Sequence, residues 1–285
     1  MATEVRASPF EEIKSAAVDA AGTAIPATGL ACTTTRAYAI LPKGTRHLFL
    51  TAHTMASSAA VLSVCLNPYL LVLKTTDGMA TQPLDVSDAV QDGDTATVLN
   101  MNDFSTLANG DFLLVGSHLP FGGVYVDMGN TNAAGDDTVV TVAYWNGSSW
   151  VDISATDGTI ATGNSFAADG AVTWTVPTQW PVVSLEAIHK KGGLALPRLP
   201  FYGATEPALY WTRWVWDVVF DAAVTVRAMT SINRNTLRFP LVSGQAVEMA
   251  VQQGPLNSAA VEAVTDTGTA NLNVGVATLR SGRFT

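Results

Sequence analysis

Ionic side chains are scarce in this chain: 14% of its 285 residues are charged, against roughly a quarter in ordinary soluble domains. A surface so thinly charged has to be covered by Thr, Ser, Asn, Gly and Ala, or by other protein chains. Cations are missing altogether from Thr75 to His189, a stretch that carries thirteen Asp and Glu186. Phosphate contacts need cations, so this span is excluded as a nucleic-acid surface. Cysteine is limited to Cys32 and Cys65, too few for a disulfide framework and not at metal-ligand spacing. Both sit in apolar, strand-like settings, which predicts buried free thiols; a bridge between them stays open. No apolar run reaches about 18 residues, and Ala59–Leu73 is broken by Asn67-Pro68, which argues against a membrane span. The N-terminus lacks a basic segment followed by an apolar block, so synthesis without a secretory signal, in a cytoplasm, is the expectation. The G-x-S-x-G elbow, HExxH, the P-loop and GxGxxG are all missing. No fixed-period repeat is visible, which argues against a propeller or solenoid.

What is present is β pattern. Short runs rich in β-branched and aromatic residues recur about every ten residues, joined by Gly, Pro and Asn turns: Tyr38–Leu41, His47–Ala52, Ala60–Leu66, Tyr69–Leu73, Phe112–Val115 and Val124–Met128. Thr138–Trp145 and Trp150–Ile153, joined by Asn146-Gly147-Ser148-Ser149, read as a β-hairpin. Leu209–Phe220 is apolar on both alternating faces, as expected of a strand buried on two sides. Val224–Ile232 alternates cleanly and has one face for a polar partner or solvent. Ser8-Pro9-Phe10-Glu11 reads as a capped helix start, with Phe10, Ile13, Ala17, Ala20 and Ala21 on one face and Gly22 as its stop. The pattern predicts a mainly β protein: an antiparallel β-sandwich, jelly-roll-like, in one or two packed domains, with a short N-terminal helix and extended terminal arms. The divisions are 1–35, helix and arm; 36–100, first β block; 101–235, aromatic-rich sandwich; and 236–285, C-terminal β extension.

Candidate chemistry is thin. Loop 127–137 is rich in oxygen, and Asp127, Asn130, Asn132, Asp136 and Asp137 form a weak calcium candidate, with Ala134 at a ligand position. A solvated hairpin loop uses the same residue types. His47 and His53 are an even number of residues apart and can share a strand face, but no third metal ligand is indicated. Glu186 and Glu206 are available for glycosidase chemistry, yet nothing pairs them. All seven tryptophans lie between positions 145 and 216. Trp145, Trp150, Trp174, Trp211 and Trp214 fall inside strand patterns, so an aromatic core is expected there, with a sugar-stacking platform as the alternative. The reading is of a protein that is not an enzyme and needs no cofactor.

Tyr144-Trp145-Asn146-Gly147-Ser148-Ser149-Trp150, Gly170-Ala171-Val172-Thr173-Trp174, Pro177-Thr178-Gln179-Trp180 and Leu209-Tyr210-Trp211-Thr212-Arg213 follow one another in order. Together they resemble a pattern in structural proteins of tailed-bacteriophage virions, over about residues 112–235. The resemblance implies a protein without substrate or cofactor that works through interfaces with the major capsid or other virion proteins, made in the host cytoplasm and carried in the virion. The leading expectation is a capsid decoration (cement) protein, homo-oligomeric, binding neither nucleic acid nor membrane. A tail, neck, baseplate or host-contact component and a carbohydrate-binding sandwich are the alternatives. The acidic middle would then face outward. The basic residues Lys190, Lys191, Arg198, Arg234 and Arg238, or the terminal arms, would meet the capsid.

Overall fold

A computed structural model describes residues 17–19, 21–42, 45–57, 60–104, 110–133, 137–192, 208–221, 223–232, 238–251 and 258–278. Among these residues the chain forms twenty strands and one helix. In order they are β1 (Val18–Asp19), β2 (Leu30–Cys32), β3 (Ala37–Ile40), β4 (Thr45–His53), β5 (Leu62–Pro68), β6 (Leu71–Thr75) and β7 (Leu84–Asp85). Next come β8 (Leu99–Asn100), β9 (Phe112–Ser117), β10 (Gly123–Asn130), β11 (Val140–Trp145), β12 (Trp150–Asp152), β13 (Thr156–Asp157) and β14 (Gly170–Thr173). The last are α1 (Leu185–Gly192), β15 (Tyr210–Trp216), β16 (Thr225–Ser231), β17 (Phe239–Leu241), β18 (Ala246–Ala250), β19 (Ser258–Thr265) and β20 (Ala270–Thr278). The strands make four antiparallel sheets in a β-sandwich-like arrangement. The chain divides into two units, residues 1–66 with 237–285, and residues 67–236.

The first unit pairs two sheets, ordered β1-β3-β19-β5-β17 and β18-β4-β20-β2. Their inward residues alternate along each strand: Leu48, Leu50 and Ala52 of β4, Leu272, Val274 and Val276 of β20, Leu62 and Val64 of β5, Val261 and Ala263 of β19. Burying each of the larger side chains is worth about 1.5–3 kcal/mol. Val274 sits opposite Leu50 and Leu272 opposite Ala52. A one-residue slip would put Asn271, Asn273, Thr51 and His53 into the core, so the register is set by the pattern itself. The stretch expected as a C-terminal extension is therefore central: β19 lies between β3 and β5, and β20 between β4 and β2. The segment expected as an arm, residues 23–35, is also built in. Its β2 pairs with β20, and Ile25, Leu30 and Cys32 are buried. Gly29 is needed at the start of β2, because it has φ +88° and a Cβ there would lie 2.9 Å from the carbonyl oxygen of Leu272.

The helix expected from Ser8 to Gly22 is corrected at its C-terminal end, and residues 8–16 and Ala20 lie outside the described residues. Val18 and Asp19 form β1, with Val18 opposite Ile40 and Asp19 opposite Ala39. The chain then turns, with the Gly22 amide donating to the Asp19 carbonyl and the Thr23 amide to the Asp19 carboxylate. A free strand edge on β3 and a buried Ala17 outweigh the helical preference of an alanine-rich run.

Glu262 of β19 is 0% exposed and binds two cations, Arg36 through Nε at 3.3 Å and Arg238 through Nη2. Breaking this arrangement from the carboxylate side leaves two guanidinium groups facing each other. Glu262→Ala is expected to lower the stability of this unit by about 3 kcal/mol, measured by denaturant unfolding followed in the far ultraviolet. Cys32 and Cys65 are free and buried, and burial pushes the Cys32 thiol up to about 12 from 9.0. The folded state thus holds a proton on Cys32 that the unfolded chain releases above pH 9, so the thiol's contribution to stability is lost as pH rises from 9 towards 12. Iodoacetamide at pH 9 should leave Cys32 unmodified in the folded protein and alkylate it in denaturant, with mass spectrometry as the readout.

The second unit also has two sheets, ordered β12-β11-β15-β9-β6-β7 and β13-β14-β10-β16-β8. Between them lies the main core, including Val72, Val115, Val142, Trp214 and Trp216 from the first sheet and Val124, Val126, Val172, Val226 and Met229 from the second. The six-stranded sheet is buried on its other face too, where Leu71, Leu73, Leu114, Trp145 and Trp211 pack with Leu185 and Ile188 of α1. This helix starts at Ser184, whose Oγ accepts from the Ala187 amide, and carries Glu186 in its first turn. The β11–β12 hairpin is closed by Asn146, whose Oδ1 accepts from the amides of Ser148 and Ser149, and the rings of Trp145 and Trp150 meet edge to face at 5.4 Å.

Candidate interaction surfaces

Three loops of the second unit are locked together by a buried polar network. Asn132 donates through Nδ2 to the Thr138 hydroxyl and the Ser165 carbonyl. Thr138 donates its amide to Asn164 Oδ1, and Val140 donates its amide to Ser165 Oγ. Ser165 Oγ in turn donates to Asp157 Oδ2, while Asp157 Oδ1 accepts from the amide and hydroxyl of Thr159. Asp217 accepts the Val139 amide at 2.6 Å, and Asp221 accepts the Ala133 amide at 2.8 Å. On these loops three aliphatic side chains stand in solvent: Val139 (47% exposed), Ile160 (48%) and Val219 (43%). Apolar residues held outward on a rigid support are suited to contact with another surface.

This network also says where the calcium candidates are. Asp127 is buried on β10 and holds Arg227 of β16 by two hydrogen bonds, Nε to Oδ2 at 2.7 Å and Nη2 to Oδ1 at 3.2 Å. Asn130 ends β10, donating its amide to Thr225, and Asn132 is committed to Thr138 and Ser165. Asp137 is exposed with φ 51°, and Asp136 lies outside the described residues. The structure does not bring the carboxylates of Asp127 and Asp137 into one described cage. Among the described residues no group of three or more His, Cys, Asp and Glu is placed to hold a metal. His47 and His53 do share the outer face of β4, but six strand residues put them about 20 Å apart. His53 contacts Thr54 Oγ1, and His47 lies 3.8 Å from Glu248.

The basic residues are dispersed. Arg238 is held by Glu262 in the first unit. Lys190 and Lys191 occupy the last turn of α1, and Arg198 and Arg234 lie outside the described residues. Arg213, on the outer face of β15, is stacked between the rings of Phe112 at 5.6 Å and Trp150 at 5.5 Å, and its burial lowers its pKa below the ordinary arginine value. The aromatic candidates are interior: Trp145, Trp174, Trp211 and Trp214 are buried and Trp150 is half-buried. Three of their indole N–H groups find specific acceptors, Trp174 on the Phe121 carbonyl, Trp211 on the Val183 carbonyl and Trp214 on Thr212 Oγ1. Trp180, within the stretch where the aromatic core is expected though outside its strand patterns, packs against Phe121, Tyr144 and Tyr210.

A further surface went unpredicted. The edge strand β7 carries Leu84 at 63% exposure, flanked by two hollows of about 590 and 160 Å³ that share Gln82 and Leu84 in their walls. An Asp-rich stretch reads as loop, so a two-residue strand within it gives almost no local signal.

The fold and these surfaces define a two-unit antiparallel β protein with a rigid aromatic body and side-chain patches on its loops and edges. Compared with known protein families the chain matches no family model, and no curated protein matches it significantly.

Ser165 is the centre of the loop network, so its removal reports on that network. Ser165→Ala leaves the buried Val140 amide without its acceptor and is expected to cost about 1–3 kcal/mol. Tryptophan fluorescence during denaturant unfolding reads this directly, since all seven tryptophans lie in the second unit.

Proposed function

We propose that this chain is a structural component of a tailed-bacteriophage virion and, within that class, a capsid decoration (cement) protein that reinforces the shell through protein–protein interfaces. One observation carries the reading. The four separated segments that resemble virion proteins do not scatter over the structure but lie in or against one six-stranded sheet, on its two faces. The hairpin pair Trp145 and Trp150 lies on the sheet that also contains Trp211, the ring of Trp174 meets that of Trp214 at 6.0 Å, and Trp180 meets Tyr210 at 5.5 Å. A shared pattern whose members are neighbours in and around one sheet, with Trp180 touching both Tyr144 and Tyr210, is what a common module would require, and this supports treating the resemblance as one of module rather than of isolated words.

The surface chemistry fits the same role. Charge is low overall, and Val139, Ile160 and Val219 are presented on loops fixed by buried hydrogen bonds. A contact surface ordered beforehand loses less entropy on association than a mobile one. Decoration of a shell would bring many such copies into contact with the major capsid protein and with one another.

Quantitative mass spectrometry of density-banded particles from the producing lysate tests this. Hundreds of copies per particle are expected for a decoration protein. About a dozen or fewer would move the protein to the neck or tail, where rings of low symmetry are built. Its absence from purified particles would overturn the virion reading.

A further inference from the structure

β7 is the last strand of its sheet, and among the described residues nothing pairs with its outer side. Leu84 stands opposite Lys74 and Asp85 opposite Leu73, and the Val86 amide donates to the Val72 carbonyl. By the alternation of an antiparallel ladder, the N–H and C=O of Asp85 then point away from β6, towards the open edge. Beside this edge are the two hollows that flank Leu84. The site therefore offers backbone hydrogen-bonding groups, an aliphatic side chain and concave space on either side of it.

The sign of the charge says what would fill it. Asp77 accepts from the hydroxyls of Thr75 and Thr81, Asp85 from the amide and hydroxyl of Ser87, and Asp88 from the Tyr69 hydroxyl at 2.8 Å. The donors to Asp77 and Asp85 are neutral, so they orient those two carboxylates without cancelling their charge. The hydroxyl of Thr81, followed by Thr75 and the amides of Thr81 and Met79, holds Asp77 below its ordinary value of 3.8. Burial, then the bond to Asp88, raises Tyr69 well above its ordinary 10, which keeps its proton on that bond. The cation in the hollow wall, Lys74, is 5% exposed and is taken by the Asp103 carboxylate and the Asn100 carbonyl, with its ammonium over the Phe104 ring. No Lys or Arg follows until position 190.

We propose that the open edge of β7 is a docking site for an extended, cationic segment of a partner polypeptide. Such a segment adds alongside β7, rests an aliphatic side chain on Leu84 and aims its Lys or Arg side chains at Asp77 and Asp85. Nucleic acid is repelled by the same carboxylates. Among the described residues, Arg36 and Arg238 are engaged with Glu262, Arg227 with Asp127, and Arg213 with two aromatic rings. This inference goes beyond the virion reading and stands or falls separately from it.

The test uses the full chain and a short, capped, fluorescein-labelled peptide alternating Lys and Val, with a second peptide in which Gln replaces each Lys. Fluorescence anisotropy should detect binding of the Lys peptide that weakens as salt is added, and no binding of the Gln peptide. Leu84→Lys should weaken binding about tenfold or more by placing a cation against the incoming ones. Asp85→Asn should weaken it by a smaller factor, and an unchanged tryptophan-fluorescence unfolding midpoint verifies that both variants keep their fold. Absence of binding, or binding indifferent to Leu84→Lys, overturns the proposal. So does self-association of the unmodified chain that Leu84→Lys abolishes, since that gives the edge to a second copy.

Discussion

The second unit depends on a strand that has to satisfy two cores at once. Along β15, Trp211 faces the layer that contains α1, whereas Thr212, Trp214 and Trp216 face the interior between the sheets. When both faces of a strand are apolar, a slip of one residue exchanges one aromatic ring for another, and hydrophobicity no longer chooses the register. Shape and hydrogen bonding have to choose it. Trp211 lies opposite Gly116, and a Cβ on Gly116 would come within 2.7 Å of the indole ring, so only a residue without a side chain can stand there. Thr212 Oγ1 donates to the Val115 carbonyl at 3.1 Å and accepts from the Trp214 indole at 3.0 Å, a relay that exists in one register alone. The strand is thus fixed by one missing side chain and one hydroxyl.

The low charge content has two sources, and the structure separates them. Where charges occur inside, they are consumed: Glu262 by two arginines, Asp127 by Arg227, Lys74 by Asp103. Buried pairs of this kind offset desolvation more than they add stability, so they specify geometry rather than strength. The acids of the loops do a different task. Asp85, Asp94, Asp152 and Asp157 each accept a backbone amide two residues on, which fixes a turn that has no ladder to hold it. An aspartate-rich, cation-free stretch is therefore partly a turn vocabulary, and the negative field it leaves on the surface is a by-product available for recognition.

Local signals were legible where they were strong. The Asn146-Gly147 hairpin and the two-sided strand β15 follow from residue order, and the class of fold follows from their spacing. The clean alternation expected of β16 is corrected, because a bulge at Arg227 shifts its phase and Ala228–Ser231 are buried on both faces. Two further elements carried signals that a reading by composition passes over. Ser184, Glu186, the lysines at 190 and 191 and Gly192 form a complete helix signature, hidden because the lysines read as a basic patch. Leu272, Val274 and Val276 alternate with Asn271, Asn273 and Gly275, but alanine and glycine around them weaken the strand impression. The pairing of residues 30–66 with 239–278 is another matter. It joins segments some two hundred residues apart, and no local chemistry announces which distant edge a strand will meet. For the candidate surfaces the limit is similar, since Leu84 and Val139 become notable only once their exposure is known.

A β protein has to avoid adhering to itself without limit, and the sheet edges bear on this. Among the described residues, seven of the eight edge strands, β1, β2, β7, β8, β12, β13 and β17, are two or three residues long, and β17 also contains Pro240. Only β18 reaches five residues, and it places Glu248 at its centre. Short edges, proline and charge are the means by which β proteins block open-ended strand pairing. Association through backbone edges is thus confined to brief contacts such as β7 offers, where one or two hydrogen bonds cannot hold a partner alone. The remainder of any binding energy has to come from side chains, from the aliphatic loop residues or from the carboxylates beside Leu84. That division makes association selective: an edge too short to bind every strand binds only those that bring the matching charge.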